Sequence, residues 1–389
     1  MKKLILSYFA YLVIVFGYFL FFYPLETFAD TRYAAISHAV YFSKIPLPLL
    51  FLWMIIKRDL FRKWQEKIGW KHHVLSLPSL AFIFLIGYRF IQLPFDLLWF
   101  FVRRSAGTSN QSLISWFADR GLDFLFLWAG LSVFFLLFHL VVRRWPRGWP
   151  IILWLCFIPI VLLVVYVQPV WIDPLYHDFS PLPAGELRTD IEAVARSLDI
   201  EEISLLQVEM SNKVTTYNAY VNGIFGRTQV VFWDTMLNQM EHGEIMFVFA
   251  HELGHYVMNH FYIGVISYLF FGLILLTLTA VILNYLRKKF LLLSLTDIQM
   301  LPLFLFIVLS LFVVTEPITL AVSREMERQA DRFAIEHTED LQVAQDSFVR
   351  MGIRSKADID PATWIVWLRN SHPPLQERME LLEQAINNR

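Results

Sequence analysis

Cysteine is nearly absent from this sequence. Cys156 is the single thiol among 389 residues, so the chain cannot form an intramolecular disulfide. It also cannot build a zinc site from several thiolates. A metal site in this chain must therefore be made of histidines and carboxylates.

Charged residues are also scarce. They make up 17% of the sequence, whereas soluble domains average about 25%. The net charge of −1 gives no indication of nucleic acid as a partner. The chain instead carries 57% hydrophobic residues, with 36 Phe and 13 Trp, which is typical of a multi-pass membrane protein embedded in a lipid bilayer.

Seven apolar stretches are long enough to cross a bilayer as a helix, which takes about 20 residues. The first follows Lys2 and Lys3 and has no small-residue cleavage site, so it is predicted to be a retained helix and not a signal peptide. The second is interrupted by Lys44 and is the weakest. The first five spans form an N-terminal membrane region, residues 1–172. The predicted spans are 4–25, 35–56, 74–102, 124–142, 148–172, 261–286 and 298–320.

Two segments do not resemble membrane spans, residues 173–250 and 323–389. The first has a helical pattern at Glu186–Leu198 and strand-like runs at Ile203–Glu209 and Gln229–Trp233. The second is rich in charge and is predicted to be helical. The sequence thus predicts a mostly α, polytopic membrane protein with a small α+β domain at the membrane surface.

The segment from His251 to His255 reads HELGH. Two histidines four residues apart lie on one face of a helix, so both imidazoles can bind one ion. Catalytic zinc sites use three protein ligands and leave one position for water, which the bound metal makes acidic. Glu252 is placed to accept the proton of that water as a general base. The pattern is short, and a membrane-proximal helix with two ordinary histidines is the alternative; together with a third ligand, the pattern predicts a zinc-dependent endopeptidase.

The third ligand is not adjacent in sequence. A metzincin has a third histidine near position 261, where this chain has Phe261. Glu327 and Asp331 lie four residues apart on a later predicted helix, so Glu327 can bind the metal while Asp331 holds the second ring nitrogen of a ligand histidine. Glu325 is an equally available carboxylate, and the residues alone do not choose between them.

These motifs and several others, in order along the chain, resemble those of the type I CAAX prenyl protease family. Its members are membrane-integral zinc peptidases related to the bacterial HtpX-type proteases. The matching segments are Ile172–Leu175, Phe179–Leu182, Asn218–Tyr220 with Gly223, Val230–Leu237, His251–His260, Ser323–Asp331 and Ser371–Pro374 with Arg378.

The resemblance implies a role for each of several site residues. It implies that residues 173–389 form a zinc metallopeptidase domain that includes the last two spans. His251, His255 and Glu327 would bind one Zn²⁺ and Glu252 would be the base. Asp331 would orient a ligand, and Arg378 would lie near the site. His372 would stabilise the oxyanion, and Asn218, Ala219 and Tyr220 would form an edge strand that pairs with an extended substrate.

The resemblance also implies a water-filled chamber enclosed by the seven helices. Charges within spans usually face protein or water. Such a chamber would explain Arg89, Asp96 and Glu316, which otherwise stand at the ends of spans. The sequence assigns no chemistry to Asn259 and His260.

The distribution of basic residues conflicts with the resemblance over sidedness. Basic residues mark cytoplasmic loops, and with seven spans they concentrate on the side opposite the catalytic segments. This favours an extracytoplasmic catalytic domain, whereas the eukaryotic prenyl proteases face the cytosol. The residues concerned are Lys2, Lys3, Lys57, Arg58, Arg62, Lys63, Lys67, Lys71, Arg143, Arg144, Arg147, Arg287, Lys288 and Lys289, against Arg32, Arg103, Arg104 and Arg120 on the other side.

Three functions are compatible with these features. The first is a zinc metalloendopeptidase, in a bacterial cytoplasmic membrane, that cleaves membrane-associated proteins or peptides. The second is removal of the C-terminal tripeptide from prenylated proteins, which would make the substrate lipidated. The third is an inactive membrane scaffold or transporter, which Glu252 argues against because a non-catalytic zinc site needs no base.

Overall fold

The structure is a computed structural model that describes residues 2–29, 31–69, 73–200, 203–224 and 227–388. Lys71, one of the basic residues of the loop after the second span, lies outside the described residues. The chain is mostly helical, and one four-stranded sheet follows the fifth span.

Seven segments of the described chain are long and apolar enough to cross a membrane, as predicted. They agree with the predicted spans in number and order. The segments are Lys2–Phe22, Tyr33–Arg58, Ser76–Ser105, Leu113–Arg144, Trp149–Leu175, His260–Lys289 and Met300–Glu336.

The helices in these segments are α1 to α3, α5 to α7, α11 and α12. Helix α4 is a short surface helix that follows the second span. Their bounds are α1 (Lys2–Gly17), α2 (Tyr33–Lys44), α3 (Leu47–Arg58), α4 (Leu60–Ile68), α5 (His73–Ser105), α6 (Leu113–Arg144), α7 (Trp149–Val167), α11 (His260–Leu286) and α12 (Met300–Glu336).

Three of the spans differ from the prediction. The second span is two helices, α2 and α3, which meet at Ile45 and Pro46 because proline lacks the amide that a continuous helix needs. Helix α6 starts eleven residues before the predicted 124, where Ser112 caps it by accepting the amide of Ser115. Helix α12 continues far past the predicted 320 and carries the charged segment out of the apolar region.

The domain outside the spans combines the sheet with six further helices. Strands β1 (Phe179–Pro181), β2 (Ile203–Val208), β3 (Ala219–Ile224) and β4 (Arg227–Trp233) are arranged in the order β1-β2-β4-β3. Strand β2 runs parallel to β4, and the other two pairs are antiparallel. The helices are α8 (Glu186–Ser197), α9 (Asp234–Leu237), α10 (His242–Val257), α13 (Leu341–Ser355), α14 (Thr363–Arg369) and α15 (Leu375–Asn387).

Separate apolar cores hold these parts together. One fills the space between the membrane helices, with Phe135, Trp149 and Phe304 among its members. A second joins the sheet to α8 and α10 through Ile191, Phe232 and Phe249. A third packs α10 against the carboxyl-terminal helices. Helix α10 contributes to the second and the third, so the HELGH segment lies between these two cores.

Two charged side chains within the spans, one on α2 and one on α5, pair with each other. Lys44 of α2 donates to Asp96 of α5 at 2.6 Å, and both side chains are partly buried. The pair explains how the second span tolerates a lysine, because an ion pair inside protein costs less than a charge facing lipid.

Candidate metal centre

Helix α10 presents two histidines on one face. A capping box begins the helix: the Glu241 side chain accepts the amide of Glu244, and the Glu244 side chain accepts that of Glu241. His251 Nε2 and His255 Nε2 lie 3.2 Å apart. The four-residue spacing therefore directs both imidazoles to one point, as the sequence predicts.

Helix α12 brings a carboxylate to the same point. Glu327 Oε2 lies 3.3 Å from His251 Nε2, and Glu327 Oε1 lies 3.4 Å from His255 Nε2. Tetrahedral zinc with bonds of about 2.0–2.1 Å separates its ligand atoms by about 3.3 Å. The three ligand atoms are therefore spaced as one metal ion requires.

The polar atoms of the cluster also fit a cation. Among the described residues, Glu327 Oε2 is buried and has no hydrogen-bond partner. Two imidazole nitrogens that face each other at 3.2 Å cannot both offer lone pairs unless a proton or a cation lies between them. A shared cation satisfies all three atoms, and His251, His255 and Glu327 form one group that can hold a metal ion.

The structure separates Glu327 from the competing carboxylate Glu325. The Glu325 side chain is 51% exposed, whereas that of Glu327 is 10% exposed. Glu325 Oε1 accepts from Arg332 at 3.1 Å on a different face of α12. The two glutamates are two residues apart, so the helix turns them away from each other and only Glu327 reaches the histidines.

Asp331 holds the second ring nitrogen of His251. Asp331 Oδ1 lies 2.9 Å from His251 Nδ1, and the Arg378 guanidinium donates to both oxygens of Asp331, at 2.8 and 2.5 Å. Burial lowers the pKa of His251, but the hydrogen bond to Asp331 and the nearby Glu327 carboxylate outweigh burial and raise the pKa to about 9. A metal ion would displace the proton that His251 shares with these carboxylates.

The other ligand histidine has a contrasting electrostatic environment. Burial, with the nearby His251 as a second cause, lowers the pKa of His255 to about 4. A neutral imidazole is the form that binds a metal ion. His255 therefore already has the protonation state of a ligand at neutral pH.

Glu252 lies beside the cluster and reaches the sheet. Burial raises the pKa of its carboxyl to about 7, although the nearby His251 opposes that shift. The backbone amide of Val221 on β3 hydrogen-bonds to this carboxylate. A carboxyl whose pKa is close to neutral can both accept and release a proton there.

His372 approaches the cluster from the segment between α14 and α15. Its Nε2 lies 3.4 Å from Glu327 Oε1, and its side chain is 61% exposed. Arg324, buried on α12, donates to the carbonyl oxygens of Val366 and Asn370 at 2.9 and 2.7 Å. Arg324 thereby fixes this segment to the helix that carries Glu327, a role that the sequence does not reveal.

Strand β3 forms the edge of the sheet next to Glu252. The Trp233 amide donates to the Asn218 carbonyl at 3.1 Å, and Tyr220 pairs with Val231. Because bonded and non-bonded residues alternate in an antiparallel ladder, Ala219 and Val221 direct their backbone groups away from β4. The free edge of β3 therefore faces the cluster.

Sequence reasoning missed one polar neighbour of the metal cluster. His260 Nδ1 lies 2.9 Å from His255 Nδ1, and His260 Nε2 lies 3.1 Å from Gln329 Oε1. The residues of HELGH give no sign of this contact, because it depends on the turn between α10 and α11.

Known proteins resemble this chain in sequence and in fold. The family model of peptidase family M48 matches residues 181–386. The uncharacterized metalloprotease YhfN of Bacillus subtilis is 31% identical over 94% of this chain and 87% of its own length. A CAAX prenyl protease 1 homolog of Arabidopsis thaliana is 30% identical over 75% of this chain and 69% of its own.

A solved structure extends the likeness to the whole fold. The crystal structure of S. mikatae Ste24p superimposes with a TM-score of 0.80 over 97% of this chain and 96% of that one, at 20% identity. The mostly helical membrane architecture is confirmed. This chain belongs to peptidase family M48 and is a membrane-integral metalloprotease.

Proposed function

We propose that this protein is a zinc-dependent endopeptidase that hydrolyses peptide bonds of membrane-associated proteins or peptides. One observation carries the proposal. The ligand atoms of His251, His255 and Glu327 converge to within 3.2–3.4 Å, and Glu252 lies between that point and the free edge of β3. Metal, base and a binding edge for a peptide are thus combined in one site.

Zinc is the ion that this donor set favours. Two imidazoles and one carboxylate are the protein ligands of many catalytic zinc sites, which keep one position open. Bound zinc supplies Lewis-acid activation of water and of the scissile carbonyl. His251, His255 and Glu327 would hold the ion.

Glu252 would transfer the proton during cleavage. Its carboxylate accepts a proton from the attacking water and gives it to the amine of the leaving peptide, so the base returns to its starting state. Burial raises the pKa of Glu252 to about 7, which suits both halves of that transfer at neutral pH.

His372 would stabilise the negative charge that develops on the carbonyl oxygen. Its Nε2 faces the cluster at 3.4 Å from Glu327, on the open side of the site. A donor placed where charge develops contributes more once the substrate excludes water. The 61% exposure of His372 leaves that approach open to a peptide.

The residues Asn218, Ala219 and Tyr220 would position the substrate. Their segment lies at the sheet edge, where the backbone of Ala219 and the carbonyl of Val221 would pair with an extended peptide. A peptide that is N-methylated at one residue near its cleavage site has no amide proton there and cannot donate a hydrogen bond to the strand. We expect such a peptide to show a raised KM, whereas a KM unchanged at every methylated position would contradict strand pairing.

An apolar cavity favours lipidated substrates as a second candidate function. A cavity of about 520 Å³ between the membrane helices is lined by Trp154, Phe157, Phe304 and Met326, and Met326 directly precedes Glu327. Several relatives are named CAAX prenyl proteases. Cleavage rates of a farnesylated peptide and its unlipidated twin distinguish the two functions, because equal rates would reject prenyl specificity.

Metal content and activity test the main proposal together. The purified protein should contain one zinc ion per chain and cleave a membrane-protein substrate. Removal of the metal with a chelator should abolish cleavage, and added Zn²⁺ should restore it. Full activity in the metal-free protein would overturn the proposal.

A further inference from the structure

The turn between α10 and α11 folds His260 back onto the metal cluster. Asn259 adopts the left-handed conformation at φ 58°, which asparagine tolerates better than most residues. His260, which is 5% exposed, then begins α11 with its ring against His255. The ring nitrogens His260 Nδ1 and His255 Nδ1 lie 2.9 Å apart.

Hydrogen-bond accounting assigns a proton to each ring nitrogen along this contact. His255 Nε2 is one of the converging ligand atoms, so it offers a lone pair and the ring proton lies on Nδ1. His260 Nδ1 must then accept, which places the proton of His260 on Nε2. That nitrogen lies 3.1 Å from Gln329 Oε1, an acceptor.

The hydrogen bonds that link His255, His260 and Gln329 form a relay, which ends at a carboxylate on the surface of α12. Gln329 Nε2 donates to Glu325 Oε1, 3.4 Å away, on the next turn of the helix. The amide nitrogen of Gln329 therefore faces Glu325, and its oxygen faces His260. In this arrangement every donor along the path meets an acceptor.

The two ligand histidines are therefore supported in different ways. Asp331, a buried anion held by Arg378, orients His251. A neutral imidazole and a neutral amide support His255, and the nearest carboxylate of that path is half exposed. If a buried carboxylate supported each of the two histidines, the ion would be surrounded by more negative charge than it is with Asp331 alone.

We propose that His260 and Gln329 are positioning residues that fix the tautomer and ring orientation of His255 for metal binding. This proposal rests on the proposed metal site, to which it adds the residues that set the affinity of one ligand. It predicts that an acceptor at position 260 matters more than the aromatic ring itself.

Two substitutions at position 260 test whether the hydrogen-bond acceptor or the aromatic ring of His260 is required. His260→Asn keeps an acceptor oxygen close to the place of Nδ1, whereas His260→Leu keeps similar bulk without an acceptor. Loss of a partner of a ligand histidine typically weakens metal binding by about 10–100-fold. We expect that loss for His260→Leu and near wild-type affinity for His260→Asn.

Substitutions at position 329 test the next step of the relay. Gln329→Met removes the acceptor for His260 Nε2 at similar volume, and Gln329→Glu keeps it. We expect weaker metal binding for Gln329→Met than for Gln329→Glu. His337→Leu is a matched control, because His337 packs on Phe333 on the same helix and bonds only to its backbone among the described residues.

Three measurements are needed besides cleavage. Competition with a chromophoric chelator gives the zinc Kd of the full-length protein in detergent. The visible spectrum of the Co²⁺-substituted protein reports ligand geometry, and we expect it to change in His260→Leu and not in His337→Leu. The melting temperature of the metal-free variants shows whether each is folded.

The outcomes separate this proposal from the proposed function. If wild-type protein binds no stoichiometric metal, the metal site and the relay both fail. If wild-type binds zinc but His260→Leu binds it equally well with an unchanged Co²⁺ spectrum, the relay alone fails. If His260→Asn is as weak as His260→Leu, the acceptor role is overturned.

Discussion

Gly254 of α10 packs directly against Phe333 of α12. A Cβ at position 254 would lie 3.1 Å from the Cβ of Phe333, closer than ordinary van der Waals contact. This close approach lets Glu327 on α12 reach His255, the neighbour of Gly254. The glycine of HELGH thus makes room for the neighbouring helix.

Gly254→Ala should push the two helices apart and weaken metal binding. Overpacking of this kind typically costs about 1–3 kcal/mol. Gly272→Ala on α11 is the control, because a Cβ there meets no other atom within 4 Å. Zinc affinity and melting temperature should fall only in Gly254→Ala, and equal behaviour of the two variants would contradict the packing argument.

Glu252→Gln should abolish proteolysis without releasing the metal. Loss of a general base typically lowers the rate by about 10²–10⁴-fold, and Glu252 is not one of the converging ligands. Peptide cleavage and zinc content of the same preparation provide the measurement. Glu383→Gln, which alters an exposed carboxylate on α15, should keep most of the activity. Wild-type cleavage by Glu252→Gln would refute the assigned base.

Glu327→Ala and Glu325→Ala should differ sharply in metal content. The first removes a buried carboxylate at 3.3–3.4 Å from both histidines, and the second removes a surface carboxylate. We expect Glu327→Ala to lose zinc on dialysis and Glu325→Ala to keep it. Equal zinc retention would show that another residue completes the site.

Asp331→Asn should destabilise the protein because it leaves Arg378 buried without its charged partner. The Asp331 side chain is 2% exposed and that of Arg378 is 14% exposed. Breaking a buried pair typically costs about 3–5 kcal/mol. Arg332→Ala breaks an exposed pair, for which about 0–1 kcal/mol is typical. Thermal unfolding measures both, and the Asp331→Asn/Arg378→Met double variant should recover part of the loss.

The catalytic domain should lie on the extracytoplasmic side if the basic loops are cytoplasmic. Arg62 pairs with Asp297 at 3.2 Å, which joins the loops after the second and sixth spans at one end. At the opposite end, the Asn110 amide donates to Lys213 of the catalytic domain. With Cys156 replaced by serine, an impermeant maleimide should label Glu383→Cys in intact cells but not Arg147→Cys. The reverse pattern would overturn this orientation.

Local patterns in the sequence determined a large part of this protein. Long apolar runs predicted seven spans, because a helix in lipid must satisfy its own backbone and needs a fixed length. The spacing of His251 and His255 predicted two imidazoles on one face, since helix geometry fixes what lies four residues away. These inferences depend on neighbours in the chain, and the structure has both features.

Ordered motifs extended the prediction to distant residues by resemblance. Glu327 became the preferred ligand over Glu325 only through the family pattern, and the structure shows why the residues alone were ambiguous. Both carboxylates lie on α12, and its rotation relative to α10 decides which one faces inward.

Only the tertiary structure decided how the site is supported. The turn at Asn259 directs His260 to His255, and Arg324 fixes the segment that carries His372. Such contacts depend on how helices cross and how turns close, which no local spacing specifies. The sequence by itself determined the ligand types and the membrane setting, whereas the packing of α10 against α12 decided which side chains meet.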